Sequence, residues 1–125
     1  MGAKPRVLTI EDEPGVRHFI RAALEESFEM VEAADGPEGF SQARWKQPDL
    51  ILLDLHLPGM DGLTVLAQLK GNVHTSHIPV VVVSARGETQ VLLASQRGGA
   101  VDHLIKPFDI AELRKVIQQH LPIRE

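Results

Sequence analysis

Four apolar runs of the sequence end in side chains that could carry phosphate or metal chemistry. These side chains are Glu11 and Asp12 after the run at 6–10, Asp54 at the end of 49–54, Ser84 near the end of 78–85, and Lys106 at the end of 101–106. Burying an unpaired carboxylate is costly, so we expect these acids at a rim of the core rather than inside it. Carboxylates gathered at one rim repel each other, and a hard divalent cation such as Mg²⁺ relieves that repulsion.

Asp54 is the candidate reacting residue, because a carboxylate can act as a nucleophile and take up a phosphoryl group. The ammonium of Lys106 and the hydroxyl of Ser84 are suited to contact phosphoryl oxygens. A metal and an ammonium beside Asp54 would stabilise the charge on the transferring group. The residue types therefore predict a self-catalysed phosphoryl transfer to Asp54 from an external donor.

The elements that must position these residues follow from the hydrophobic pattern. We predict five strands, at 6–10, 28–34, 49–54, 78–85 and 101–106. All but the second are continuously apolar, which is typical of parallel strands covered on both faces, and the second is predicted to lie at an edge. Helices are predicted from Pro14, from near Pro37, from about Gly62 with Asp61 as cap, over 88–97, and after Asp109, which has capping-box spacing with Glu112.

Five β-α units in a row predict an α/β fold with a doubly wound parallel sheet and right-handed crossovers. In such sheets the sites form outside the carboxyl ends of the strands, where the polar residues stand. We expect Phe40 and Trp45 to pack the second helix onto the sheet.

The composition of the chain argues against two classes of function, nucleic-acid binding and a membrane-spanning role. The chain has 125 residues, no cysteine and a formal charge of −4, and its 13 lysines and arginines are scattered. Duplex binding needs a clustered basic face, so we expect no direct contact with nucleic acid. A membrane span needs about 18 consecutive apolar residues, and no run approaches that length. We expect one domain over 1–125 and a cytoplasmic location.

The chain resembles two-component response-regulator receiver domains and is similar to the single-domain chemotaxis regulators. The matching stretches are VLTIEDEP, PDLILLDLHLPGMDG, IPVVVVSA and DHLIKPF, in this order along the chain. The resemblance implies a flavodoxin-like sheet of strand order 2-1-3-4-5. It also implies a signalling switch rather than an enzyme, with only self-catalysed phosphorylation and dephosphorylation.

The resemblance also implies roles for individual residues. It implies that Asp54 is the phosphoacceptor, that Asp12 ligates Mg²⁺ directly, that Glu11 assists through water, and that His56 contributes its backbone carbonyl. It further implies that Ser84 is the switch hydroxyl, that Lys106 contacts the phosphoryl group, and that a cis peptide bond precedes Pro107. His103 stands where the family usually has an aromatic switch residue, and the resemblance implies a switch role for this side chain.

The family's phosphodonor is a phosphohistidine on a sensor histidine kinase or a phosphotransfer protein. The resemblance places the surface that responds to phosphorylation on the fourth helix, fifth strand and fifth helix, which would contact an output domain, a protein target or a second copy of the chain. Two other readings stay open. One is a small Mg²⁺-dependent phosphohydrolase with Asp54 as nucleophile, although His56 stands where such enzymes want a second Asp. The other is a pseudo-receiver that works without phosphorylation.

Overall fold

A computed structural model of the protein, described here for residues 3–121, contains one five-stranded sheet flanked by five helices. The strands of this sheet, β1 to β5, are Arg6–Ile10, Glu29–Ala33, Leu50–Asp54, Val80–Ala85 and Asp102–Lys106. The helices, α1 to α5, are Pro14–Leu24, Gly36–Lys46, Gly62–Gly71, Thr89–Arg97 and Ile110–His120. Two further strands of two residues, His56–Leu57 and Met60–Asp61, form a separate antiparallel hairpin. Within residues 3–121 no helix has the length and apolar character needed to cross a bilayer.

All neighbouring strands of the main sheet are parallel, in the order β2-β1-β3-β4-β5. The predicted fold class and strand order are therefore confirmed, and β2 lies at an edge as its mixed sequence indicated. The strand order reverses at β1, which lies between β2 and β3. A crevice opens at the carboxyl ends of strands beside such a reversal, and this is where doubly wound sheets bind their ligands.

The sheet is covered on both faces, which explains the continuously apolar β3. Leu50 and Leu52 belong to the core under α1 and α5, whereas Ile51 and Leu53 belong to the core under α2, α3 and α4. All four side chains are at most 1 % exposed. Burial of a Leu or Ile side chain contributes about 1.5–3 kcal/mol, so this short strand anchors both layers and holds its last residue, Asp54, in place.

The predicted helix starts are found in the structure, but one predicted core residue is wrong. Asp61 caps α3 by accepting a hydrogen bond from the Leu63 amide, and Asp109 forms the predicted capping box at α5. Phe40 packs against the core, whereas Trp45 is 74 % exposed. Residues five apart on an α-helix point about 140° away from each other, so these two aromatic side chains cannot both face the sheet.

Candidate functional site

Three carboxylates converge at the carboxyl ends of β1 and β3, which are neighbours in the sheet. Glu11 and Asp12 follow β1, and Asp54 ends β3. One oxygen from each lies within 4.8 Å of the others, and no second group of this kind occurs among residues 3–121. Glu11 and Asp54 are each 2 % exposed, and Asp12 is half-buried. The structure thus gathers acids that are more than 40 residues apart along the chain.

Lys106 completes the cluster from the end of β5. Its Nζ atom lies 3.2 Å from Asp54 Oδ2 and 3.2 Å from Glu11 Oε1, and 3.9 Å from Glu13 Oε1. Burial lowers the pKa of the ammonium, but attraction to Asp54 and Glu11 outweighs it, and the pKa is raised overall. Lys106 therefore stays charged beside the acids. The peptide bond between Lys106 and Pro107 is cis.

The buried position of Glu11 among these acids raises the pKa of its carboxyl. Burial raises its pKa from 4.5 to about 7, and the hydrogen bond and repulsion from Asp54 act in the same direction. The Glu13 amide, which donates to Glu11 Oε2 at 3.2 Å, and the Lys106 ammonium only partly oppose this rise. Near neutral pH a proton therefore still competes for Glu11. A hard divalent cation would remove this repulsion, and an all-oxygen donor set fits Mg²⁺.

The loop after β3 holds Asp54 from the other side. The His56 amide donates a hydrogen bond of 2.9 Å to Asp54 Oδ1. Gly62 packs so closely on this loop that a Cβ atom there would lie 2.4 Å from the Leu55 Cα. No side chain other than hydrogen fits at this position, so a glycine is required for the loop to close against the start of α3.

The side chain of His56 makes a contact that the sequence did not suggest. Its Nε2 atom pairs with Glu88 Oε2, and Glu88 Oε1 accepts a hydrogen bond of 2.8 Å from the Ala85 amide. This amide is the first cause, and the His56 pair a further cause, of a lowered pKa at Glu88. The pair links the loop after β3 to the loop after β4. Nothing in the spacing of the two residues along the chain could have indicated it.

Ser84 is fully buried, and its Oγ has no hydrogen-bond partner among the described residues. It follows Val83, which is paired with Asp54 between β3 and β4. His103 is placed differently, since it is paired with Val82 and lines a groove of about 420 Å³ between β5 and α5. The structure therefore sets Ser84 beside the strand that carries Asp54. His103 lies on the edge strand β5, two residues before Ile105, the residue paired with Ser84.

An apolar groove of about 300 Å³ adjoins the acidic cluster at Lys106. It lies between α1 and the loop after β5, and Phe19 and Phe108 meet there edge to face at 6.1 Å between ring centroids. Its lining residues are Gly15, Val16, Phe19, Lys106, Pro107 and Phe108. An apolar surface beside a charged site is suited to contact a protein rather than a small phosphate ester.

Comparison with known proteins agrees with this geometry. Residues 7–118 match the family model of the response regulator receiver domain. The sporulation initiation phosphotransferase F of Bacillus subtilis is 33 % identical over 120 residues, which cover 95 % of each chain. The KDP operon transcriptional regulatory protein KdpE of Escherichia coli is 42 % identical over 109 residues. That match covers 86 % of this chain and 47 % of KdpE, so the chain spans about half the length of such relatives.

Solved structures show the same architecture. A putative response regulator from Chloroflexus aurantiacus superposes with a TM-score of 0.90 at 28 % identity, covering 95 % of this chain and 98 % of the other. The receiver domain of the sensor histidine kinase PA1611 from Pseudomonas aeruginosa, which has a magnesium ion in its active-site cleft, has a TM-score of 0.86 at 27 % identity. That alignment covers 94 % of this chain and 98 % of the other. With its matched sequence, its sheet order and its cluster of acids, this chain belongs to the response regulator receiver domains of two-component signalling systems.

Proposed function

We propose that the chain accepts a phosphoryl group on Asp54 from a phosphohistidine of a sensor histidine kinase or phosphotransfer protein. The observation that carries this proposal is the convergence of Glu11, Asp12 and Asp54 within 4.8 Å, with Lys106 Nζ at 3.2 Å from Asp54. Such a set presents one nucleophilic oxygen, a site for a hard cation and a fixed positive charge. Structural capping or surface ion pairing would not require two carboxylates that are 2 % exposed.

In the proposed reaction a carboxylate oxygen of Asp54 forms a bond to phosphorus while the phosphorus–nitrogen bond of the donor breaks. The imidazole leaves with the electron pair of that bond and is then protonated. Mg²⁺, held by Asp12, Asp54 and the His56 carbonyl with Glu11 acting through water, would offset the negative charge of the phosphoryl group. Lys106 would contact a phosphoryl oxygen, and the His56 amide holds the second Asp54 oxygen in place. Water later attacks the phosphorus while the bond between phosphorus and the Asp54 oxygen breaks, which releases inorganic phosphate and regenerates the carboxylate.

The proposed output is a shift between two packings of the surface formed by α4, β5 and α5. Ser84 supports this step, because its buried and unpartnered hydroxyl could donate to a phosphoryl oxygen on Asp54. Leu93 on α4, Val101 in the loop before β5 and Ile105 on β5 expose 43 %, 45 % and 37 % of their surface. An output domain, a separate protein target or a second copy of the chain would bind there. We also propose that His103 takes part in this shift between the two packings.

We propose a cytoplasmic location, which the cysteine-free composition supports.

We also propose that the donor protein docks on the apolar groove beside Lys106. Replacing Phe19, which is 37 % exposed, with Asp should slow transfer from a phosphohistidine protein. The same variant should react normally with acetyl phosphate, because a small donor does not use the groove.

The direct test is incubation with Mg²⁺ and acetyl phosphate, followed by intact-mass measurement. We expect a gain of one phosphoryl group in the natural chain and none in Asp54→Asn. Asp61→Asn is the matched control, because it replaces an exposed acid near the site with another good helix cap, and it should be labelled normally. Labelling of Asp54→Asn would contradict the proposal, and sustained turnover of phosphate esters would favour a phosphohydrolase instead.

A further inference from the structure

The loop between β1 and α1 supplies two of the three acids but lacks the usual helix cap. Glu13 is the N-cap residue of α1, and its side chain makes no capping hydrogen bond. The Glu11 amide donates to the Ala33 carbonyl at 3.0 Å, and the Glu13 amide donates to Glu11 Oε2 at 3.2 Å. These bonds hold two amides of the loop, and the Glu13 carbonyl accepts from the Arg17 amide at 3.0 Å in the first turn of α1. The carbonyls of Glu11 and Asp12 are left to another partner.

Arg17 is that partner. Its Nη1 atom donates to the Glu11 carbonyl at 2.7 Å and to the Asp12 carbonyl at 3.1 Å. Its Nε atom lies 3.4 Å from Glu32 Oε1 on β2, and the Arg17 side chain is only 20 % exposed. A guanidinium is a rigid planar fork with five N–H donors, so one side chain can bond to both carbonyls and to the carboxylate. Arg17 therefore ties the acidic loop to the neighbouring strand.

Neither helix stability nor the ion pair to Glu32 explains why an arginine stands at position 17. A cation in the early turns of a helix interacts unfavourably with the helix dipole. Arg21, one turn later, also pairs with Glu32, and within residues 3–121 its side chain has no bond to the loop carbonyls. Arg17 differs from Arg21 in its hydrogen bonds to the backbone carbonyls of Glu11 and Asp12.

We propose that Arg17 is a positioning residue for divalent-cation binding, an inference that rests on the proposed function. Repulsion between Asp54 and the two loop acids favours a loop that swings outward before a cation arrives. Bonds from Arg17 to both loop carbonyls oppose that movement and keep the two carboxylates turned towards Asp54. The site is therefore arranged before the cation binds, and the binding free energy is not spent on ordering the loop.

The test compares Arg17→Met with Arg21→Met. Removing a group that orients a metal ligand typically weakens metal affinity about 10- to 100-fold, and we expect this range for Mg²⁺ binding to Arg17→Met by calorimetry. Arg21→Met removes a partner of Glu32 and leaves the carbonyls bound, so its affinity should stay within about twofold of the natural chain. Without Mg²⁺, the Glu11 and Glu13 amides should exchange with deuterium faster in Arg17→Met only.

The phosphorylation rate gives an independent readout. At saturating Mg²⁺ Arg17→Met should react with acetyl phosphate within about threefold of the natural rate, because Arg17 touches no reacting atom. If Arg17→Met does not fold, Arg17→Lys keeps the charge and loses the fork, and its Mg²⁺ affinity should still fall. Natural Mg²⁺ affinity in a folded Arg17 variant, or an equal loss in Arg21→Met, would overturn the inference alone. A natural chain that neither binds Mg²⁺ nor becomes phosphorylated would instead overturn the proposed function.

Discussion

Replacing Glu11 with Gln should remove a large part of the pH dependence of this protein's stability. Glu11 has a pKa of about 7 in the folded chain against 4.5 as its ordinary value, chiefly because it is buried. Between these two values the folded chain binds more protons than the unfolded chain. By linkage, the free energy of unfolding must then fall as the pH rises through this window.

The size of the effect follows from the two pKa values. One pKa unit corresponds to about 1.4 kcal/mol, so the whole window amounts to about 3 kcal/mol for a pKa near 7. Between pH 5.5 and 8 the fall should be about 2 kcal/mol in the absence of divalent cations. Gln preserves the shape of the side chain and carries no charge, so Glu11→Gln should be more stable than the natural chain at pH 8 and similar to it at pH 5.5.

Urea unfolding at several pH values, with a chelator present, measures this directly. The difference between the natural chain and Glu11→Gln isolates Glu11, because every other ionisable side chain is present in both proteins. Added Mg²⁺ should stabilise the natural chain more at pH 8 than at pH 5.5, since the cation competes with the proton on Glu11. If the two proteins show parallel pH profiles, the placement of a protonated carboxyl in the acidic cluster is wrong.

Two further substitutions test the electrostatics and the packing around the site. Lys106→Met removes the positive charge beside two buried acids and should destabilise the chain by roughly 1–3 kcal/mol at pH 8, measured by urea unfolding. The loss should shrink at pH 5.5, where Glu11 is protonated, and an equal loss at both pH values would contradict the electrostatic explanation. Gly62→Ala would force a Cβ atom to within 2.4 Å of the Leu55 backbone and should cost at least about 2 kcal/mol by the same measurement. Gly71→Ala, at the far end of the same helix, meets nothing within 4 Å and should be neutral or slightly stabilising, so similar losses at the two glycines would refute the steric argument.

Much of the fold could be predicted because its signals are local. The continuous run at 50–53 indicates a strand covered on both faces, and Asp109 with Glu112 indicates the start of α5 from spacing alone. Trp45 shows the limit of such reasoning. Its apolar character suggested the core, but the rotation of α2 that places Phe40 on the sheet turns Trp45 to solvent.

The site could be predicted only in outline. The rule that parallel strands end at one edge was sufficient to propose that Glu11, Asp12, Asp54 and Lys106 meet. It could not indicate that His56 pairs with Glu88 or that Arg17 holds the loop carbonyls. These contacts depend on side-chain rotamers and on loop conformations, which no hydrophobic period encodes.

By itself, then, the sequence determined the order of strands and helices, the strand-end positions of the acids and the family, because these depend on neighbouring residues and on motif spacing. Only the tertiary structure decided that Lys106 contacts Asp54, 52 positions earlier in the chain, and that the pKa of Glu11 rises to about 7. Both depend on distances of a few ångströms between chain-distant atoms and on the exclusion of water around them. Electrostatic energies change steeply with these two quantities, and both arise only when the sheet has assembled.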